Sequence, residues 1–293
     1  MKLETVKNKE IIAILAKVLL ISHQNNCESF NVFEEKGADM MSRRKLNATC
    51  IVVSLMMLLQ GCSNIAITKD QQVEQAFEKH LSIYPVKSLE DFYDMEGFRD
   101  KEFDKDDKGT WVVSSKIAIQ KDDSSPLVSK NIYLFFNKNN NKATGKFVLS
   151  KIYEDFSKNT ENEYRIAYSN NKIELLDNAP KEVELFLKDY KFLVEEKSFK
   201  SLNNLPKISS RHNDNLPLYS INYLIKQDNE INKWLQQKYK FMKQDAIMNI
   251  ENSGELSNSS LSNFYFKVRY KGKKEEIQYF RESINFKPSK GGY

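Results

Sequence analysis

Glycine is scarce in this chain, 9 in 293 residues, and histidine scarcer still, with 3. No glycine-rich phosphate loop, dinucleotide fingerprint, nucleophile elbow or zinc-protease helix can be found. His80 and His212 stand far apart without cysteine companions, so their spacing supports no metal site. Cysteine is limited to Cys27, Cys50 and Cys62, a set that offers the folded part of the chain no disulfide. Charge of one sign is also lacking. Lys+Arg number 45 against 40 Asp+Glu, a net charge of +5 without the concentrated basic stripe that nucleic-acid binding requires. No apolar run reaches the roughly 18 residues that a membrane-spanning helix needs.

What the chain does have is a short apolar run with a cysteine at its end. Residues 48–59, ATCIVVSLMMLL, follow the basic cluster Arg43, Arg44 and Lys45. A positive segment before an apolar stretch too short to span a bilayer is a secretory signal. The run closes on LLQGC at residues 58–62, with Gly61 directly before Cys62. This lipobox arrangement places S-diacylglyceryl and N-acyl groups on Cys62 and cuts the chain between Gly61 and Cys62. Met40 and Met41 directly precede the signal, and a second apolar stretch at 11–22 has no evident use upstream of a complete one. Translation is therefore expected to start at Met40 or Met41, with 1–39 an over-annotated extension, 40–61 the signal peptide and 62–67 a tether. About six tether residues at ~3.3–3.6 Å each hold the following domain within roughly 20–25 Å of the membrane.

The domain, 68–293, begins with a helix signal. Thr68 and Gln71 have capping-box spacing, and Val73, Phe77 and Leu81 follow on one face, with Tyr84 before Pro85. His80 reads as a flank residue. From Trp111 the period changes to two: Trp111, Val113, Ile117 and Ile119, then 131–137 and 143–153. Tyr164, Ile166 and Tyr168 are set to pair with Ile173 and Leu175 through the turn Asn170–Asn171, whose residues accept positive φ. Val183, Phe186, Leu187, Tyr190 and Val194 predict one helix after Pro180. Residues 197–217 are polar and predict a loop, a candidate boundary between two sub-domains. Beyond it come a strand through Tyr219 and Ile225, a helix capped by Asp228, and strands at 264–270 and 277–286. Short connections between successive strands indicate antiparallel meanders. The expected fold is α+β, antiparallel β-meanders packed with a few amphipathic helices.

Two stretches imitate function. Asp104, Asp106 and Gly109 resemble the opening of a calcium loop, but Lys108 and Ser115 stand where ligating side chains are required. The turn RYKGKK at 269–274 could touch an anionic surface, yet Glu275 and Glu276 follow at once. Both read as solvated turns.

Several ordered segments carry a resemblance: the lipobox, YPVKSLEDFYDMEGFRDKEF, DKGTW, KATGKF with KIYED, NKIELLD and INFKPS. Together, over about 41–289, the chain resembles the staphylococcal tandem lipoproteins. That resemblance implies a lipid-anchored protein on the extracellular face of a Gram-positive membrane, encoded among paralogues, that stimulates innate immunity through its lipid and takes part in host-cell entry. It implies no enzymatic activity and no cofactor, and it carries over no functional residue except Cys62. Its expected partners are the membrane, host proteins and an innate lipoprotein receptor, with no nucleic acid. A solute-binding lipoprotein serving a transporter is the rival reading, although such proteins usually show two α/β lobes.

Overall fold

The structure, a computed structural model, describes residues 68–122, 124–213, 215–254, 260–261, 263–272 and 277–289. Cys62, Gly61 and the expected signal and tether segments lie outside the described residues. Residues Ile67–Tyr293 form one compact unit.

Ten strands make one sheet in which every paired neighbour is antiparallel. The first meander is β1 (Thr110–Gln120), β2 (Leu127–Asn137), β3 (Lys142–Ile152), β4 (Thr160–Ser169) and β5 (Lys172–Leu175). The second is β6 (Lys207–Asn213), β7 (Leu218–Ile225), β8 (Ala246–Ser253), β9 (Asn263–Lys271) and β10 (Ile277–Lys287). Their order is β5-β4-β3-β2-β1-β10-β9-β8-β7-β6. The first meander runs outward from the centre, and the second starts at the far edge and returns. First and last strands therefore meet at the middle, with Trp111 opposite Phe286 and Ile117 opposite Phe280. The expected antiparallel meanders are present, but no division appears near 197–217.

Alternation decides which side is covered. Trp111, Val113 and Ile117 point to the same face as Phe136, Phe147, Phe266 and Phe280, all buried. Each such ring, fully buried, contributes roughly 1.5–3 kcal/mol. Among the described residues four α-helices join this core: α1 (Lys69–Leu81), α2 (Lys181–Lys188), α3 (Leu193–Glu196) and α4 (Glu230–Tyr239). The capping box of α1 forms as its spacing predicts: Gln71 N–H donates to Thr68 Oγ1 (3.3 Å) and Thr68 N–H to Gln71 Oε1 (2.9 Å). Phe77 then packs edge-on to Phe264 of β9 at 5.5 Å. The 3-10 turn Leu89–Tyr93 reaches the other meander, where Phe92 meets Trp111 at 5.3 Å. Phe186 of α2 lies on Phe147 of β3, and Trp234 and Tyr239 of α4 lie on Phe280. Inside α4, Asn232 is fully buried and satisfied. Its Nδ2 donates to the carbonyls of Ile225, Lys226 and Gln244, and its Oδ1 accepts from Tyr270 Oη (2.7 Å).

Several sequence expectations need correction. His80 is buried, 5% exposed, its ring 6.4 Å from that of Phe264, and is not a flank residue. The helix beginning at Lys181 stops at Lys188, and Tyr190 and Val194 lie beyond it. Asn229, not Asp228, caps α4, accepting from Ile231 N–H at 2.9 Å. Residues 197–217 are not a plain loop. Phe199 and Leu202 are buried there, and β6 forms an edge strand. Polar side chains masked that edge, and they have a physical use. Lys207, Arg211 and a register shift between Lys207 and Ser209 discourage pairing with another chain, as the shortness of β5 does at the opposite edge.

Two of the few glycines are spent on one ring. A Cβ at Gly97 would fall on Phe286 Cγ, and one at Gly109 on Phe286 Cζ, while Gly109 also has φ +81°. Phe286 can sit against Trp111 at 4.9 Å only because both positions are bare. Gly109→Ala is expected to cost about 1–3 kcal/mol, lowering Tm by several degrees. Combining it with Phe286→Leu should cost less than the sum of the two single changes. Thermal unfolding of the three variants checks this, and strict additivity would contradict the shared contact.

Candidate functional site

The most deeply buried acidic side chain of the described residues is Glu282. It stands on β10 in phase with Phe280 and Ile284, and is fully buried. Leu193 N–H donates to Oε2 at 2.8 Å and Val194 N–H to Oε1 at 3.0 Å. The carboxylate thus receives the first turn of α3, whose N–H groups have no partner within their own helix. The same segment is fixed from its other side, since Val86 N–H donates to Val194 carbonyl at 2.9 Å. Beside it, Tyr190 Oη donates at 2.6 Å to Oγ of Ser115, the residue opposite Glu282 in the β1–β10 register. Burial raises the Glu282 pKa to about 8, opposed by the two backbone hydrogen bonds. Burial likewise pushes the Tyr84 and Tyr190 hydroxyls up, with the Glu282 charge adding to it.

Next to this cluster the helix layer opens. Between α2, α4 and the β1–β2 turn lies a cleft of about 470 Å³. Ile117, Ile119, Val128 and Phe186 form its apolar lining, and Lys121, Lys130, Lys238 and Lys240 bring cations to it. Lys130 pairs with Glu182 at 3.2 Å and lies over the Phe186 ring at 4.6 Å. Lys238 lies over Trp234 at 4.9 Å and Tyr190 at 5.4 Å, and burial lowers its pKa. Tyr239 Oη, on the same cleft, is buried without a hydrogen-bond partner. An apolar slot with several ammonium groups suits a small amphiphile carrying negative charge.

The sequence-predicted sites fare differently. Cys62 lies outside the described residues. The acidic turn that holds Asp104 and Asp106 is fastened by the side chain of Asp107. Its carboxylate accepts from Gly109 N–H (2.9 Å), Asn139 Nδ2 (2.8 Å) and Ser289 N–H (2.7 Å). Partial burial pulls its pKa up, but these donors outweigh that and hold it well below the usual carboxylate range. Among the described residues no group of three His, Cys, Asp or Glu side chains is placed to hold a metal ion. The sequence reading missed Glu282, although its parity with Phe280 and Ile284 was a usable signal.

No described helix is long and apolar enough to cross a membrane. Comparison with known proteins supplies the class. An uncharacterized lipoprotein of Staphylococcus aureus strain N315 is 34% identical over 261 residues, covering 85% of this chain and 100% of the relative. One from Staphylococcus epidermidis is 34% identical over 253 residues, covering 85% and 99%. This is a protein of the staphylococcal lipoprotein class. The model of the Csa1 family (DUF576) matches residues 69–289, and the chain belongs to that family. Among solved structures, LprF from Mycobacterium bovis aligns over 75% of this chain and 95% of its own, at 8% identity and a TM-score of 0.34. That is too remote to bear on this chain's function.

Glu282 gives a pH signature. Its folded pKa, about 8, lies above the ordinary 4.5, so the folded state holds the extra proton between those values. This contribution to stability is full below about pH 4.5 and is lost as pH rises through about 8. Glu282→Gln is expected to remove that slope, at the cost of about one hydrogen bond, ~1 kcal/mol. Unfolding followed from pH 5 to pH 8 checks it. Parallel stability curves for the two proteins would contradict the assignment.

Proposed function

We propose that this protein is a non-enzymatic surface lipoprotein that acts by binding. In this reading acylated Cys62 holds it on the extracellular face of the membrane and is itself the feature that innate host receptors sense. The folded domain contributes separately to contact with host proteins and to host-cell entry. The observation that carries the reading is the LLQGC lipobox in a chain whose relatives are lipoproteins. The fold is consistent with it. The strongly perturbed groups Glu282, Tyr84 and Tyr190 are buried within one core and held by hydrogen bonds and packing. A short tether also means that contact with a distant host partner would follow release of the lipoprotein from the bacterium.

The cleft between α2 and α4 favours a second reading, in which a small anionic amphiphile is bound and handed on. A saturable thermal shift with single-chain anionic amphiphiles, without any protein partner, would favour it over the first.

Cys62→Ala tests the leading reading. The variant should lose labelling by a fatty-acid analogue and lose stimulation of a lipoprotein-receptor reporter. Uptake of beads coated with the unlipidated protein should persist. Continued labelling, or undiminished receptor stimulation by the variant, would overturn the proposal.

A further inference from the structure

The face of the sheet opposite the helices carries a charge pattern that neither the anchor nor the cleft uses. Lys116 on β1 stands directly opposite Arg281 on β10, and Arg281 stands directly opposite Lys267 on β9. Side chains so paired have Cβ atoms about 4.5–5.5 Å apart, and like charges in that position repel. Three cations therefore form one row across the central seam. Its flanking register positions are Asn131 beside Lys116 and Asn249 beside Lys267, so the row ends in amides and contains no carboxylate. All three cations are half-buried.

Their partners within the protein are rings. Lys116 and Lys267 bring Nζ over the Tyr279 ring, at 6.0 and 5.6 Å, and Arg281 lies over Tyr265 at 4.9 Å. Among the described residues none of the three makes a salt bridge, and Arg281 Nε is buried with no hydrogen-bond partner. Glu251 on β8, opposite Tyr265 in the adjoining row, reaches Lys267 through its field without pairing with it. Burial, joined by Arg269 and Arg281, lowers the Lys267 pKa, as expected for an ammonium among uncompensated cations. Lys116 also lines a polar groove of about 580 Å³ over β1–β4, whose other walls include Asn131 and, further along, Lys146 paired with Glu163 at 2.9 Å and Ser150 donating to Glu161 at 3.0 Å.

We propose that the row Lys116–Arg281–Lys267 binds a phosphoryl group, with the remainder of the ligand lying in the polar groove beside Lys116. A guanidinium presents a planar fork whose terminal N–H groups match two phosphoryl oxygens. The flanking ammonium groups neutralise the second charge and reach the remaining oxygens. A carboxylate, with two oxygens and one charge, would leave part of a three-cation row unmatched. The phosphoryl group could belong to a soluble phosphate ester or to the headgroup of a lipid in the membrane to which the chain is tethered.

Titration calorimetry on the purified lipoprotein in neutral detergent, at constant ionic strength, tests this with three probes. They are inorganic phosphate, glycerol phosphate, and mixed micelles of the same detergent carrying phosphatidylcholine with or without phosphatidylglycerol. Saturable binding of a soluble probe, or of the phosphatidylglycerol micelles alone, is expected and distinguishes the two sources. Arg281→Gln should weaken that binding about tenfold or more, the scale of one charge-assisted hydrogen bond. Because Arg281 is partly buried, Lys116→Gln on a different strand serves as the second variant and should weaken binding in the same direction. In phosphate-free buffer each variant should be at least as stable as the parent, since repulsion has been relieved, and phosphate should raise Tm in the parent more than in either variant. Binding that is absent for every probe, or unchanged in folded Arg281→Gln and Lys116→Gln proteins, would overturn the proposal.

Discussion

The pairing of β1 with β10 is the contact on which the rest of the molecule depends. Each meander has an ordinary edge at its far end, polar and shifted at β6, short at β5. Each would also have a long apolar edge at the centre, and only its counterpart covers it. Eleven register pairs run from Thr110–Lys287 to Gln120–Ile277, and they carry Trp111, Phe286, Ile117 and Phe280 into one core. The chain must be complete before this seam can close, since its partners are about 170 residues apart. Glu282 is placed where it can hold the crossing segment down. Its carboxylate receives the N–H groups of Leu193 and Val194 just as the chain passes from the first meander to the second. Removing water from that carboxyl group favours its protonated form, and the two backbone hydrogen bonds oppose part of that shift.

A sheet joined this way has two faces with different tasks. The helical face is aromatic, closed by α1, α2 and α4, and opens at the cleft beside Lys238 and Tyr239. The other face holds the Lys116–Arg281–Lys267 row, tyrosines and amides. Neither face resembles the hinge between two α/β lobes on which many solute-binding proteins rely. The likeness to staphylococcal lipoproteins extends from Lys69 nearly to the end of the chain, so the seam and both faces fall within the matched family region.

Local signals in the sequence were legible. The Thr68–Gln71 capping box, the positive-φ turn at Asn170 and Asn171, and the alternation of Trp111, Val113 and Ile117 all reappear as expected. Those signals need no more than a few neighbouring residues. Signals that depend on distant partners were not legible. Val194 looked like part of one helix because it continues an apolar spacing from Val183, but the helix stops at Lys188 and α3 starts anew, its N–H groups at 193–194 claimed by a side chain 88 residues further on. β6 looked like a loop because an edge strand gains from being polar. His80 looked superficial because nothing in its neighbourhood announces Phe264. The cation row was hidden for the same reason: Lys116, Lys267 and Arg281 become neighbours only once the register is known.

The central claim is that two meanders share one cooperative seam, and native-state hydrogen exchange tests it most directly. Amides of β1 and β10 should be the last to exchange and should do so together, while β5 and β6 open first. If β6–β10 exchanged as a group well before β1–β5, or the reverse, the meanders would be independent units and the account would be wrong.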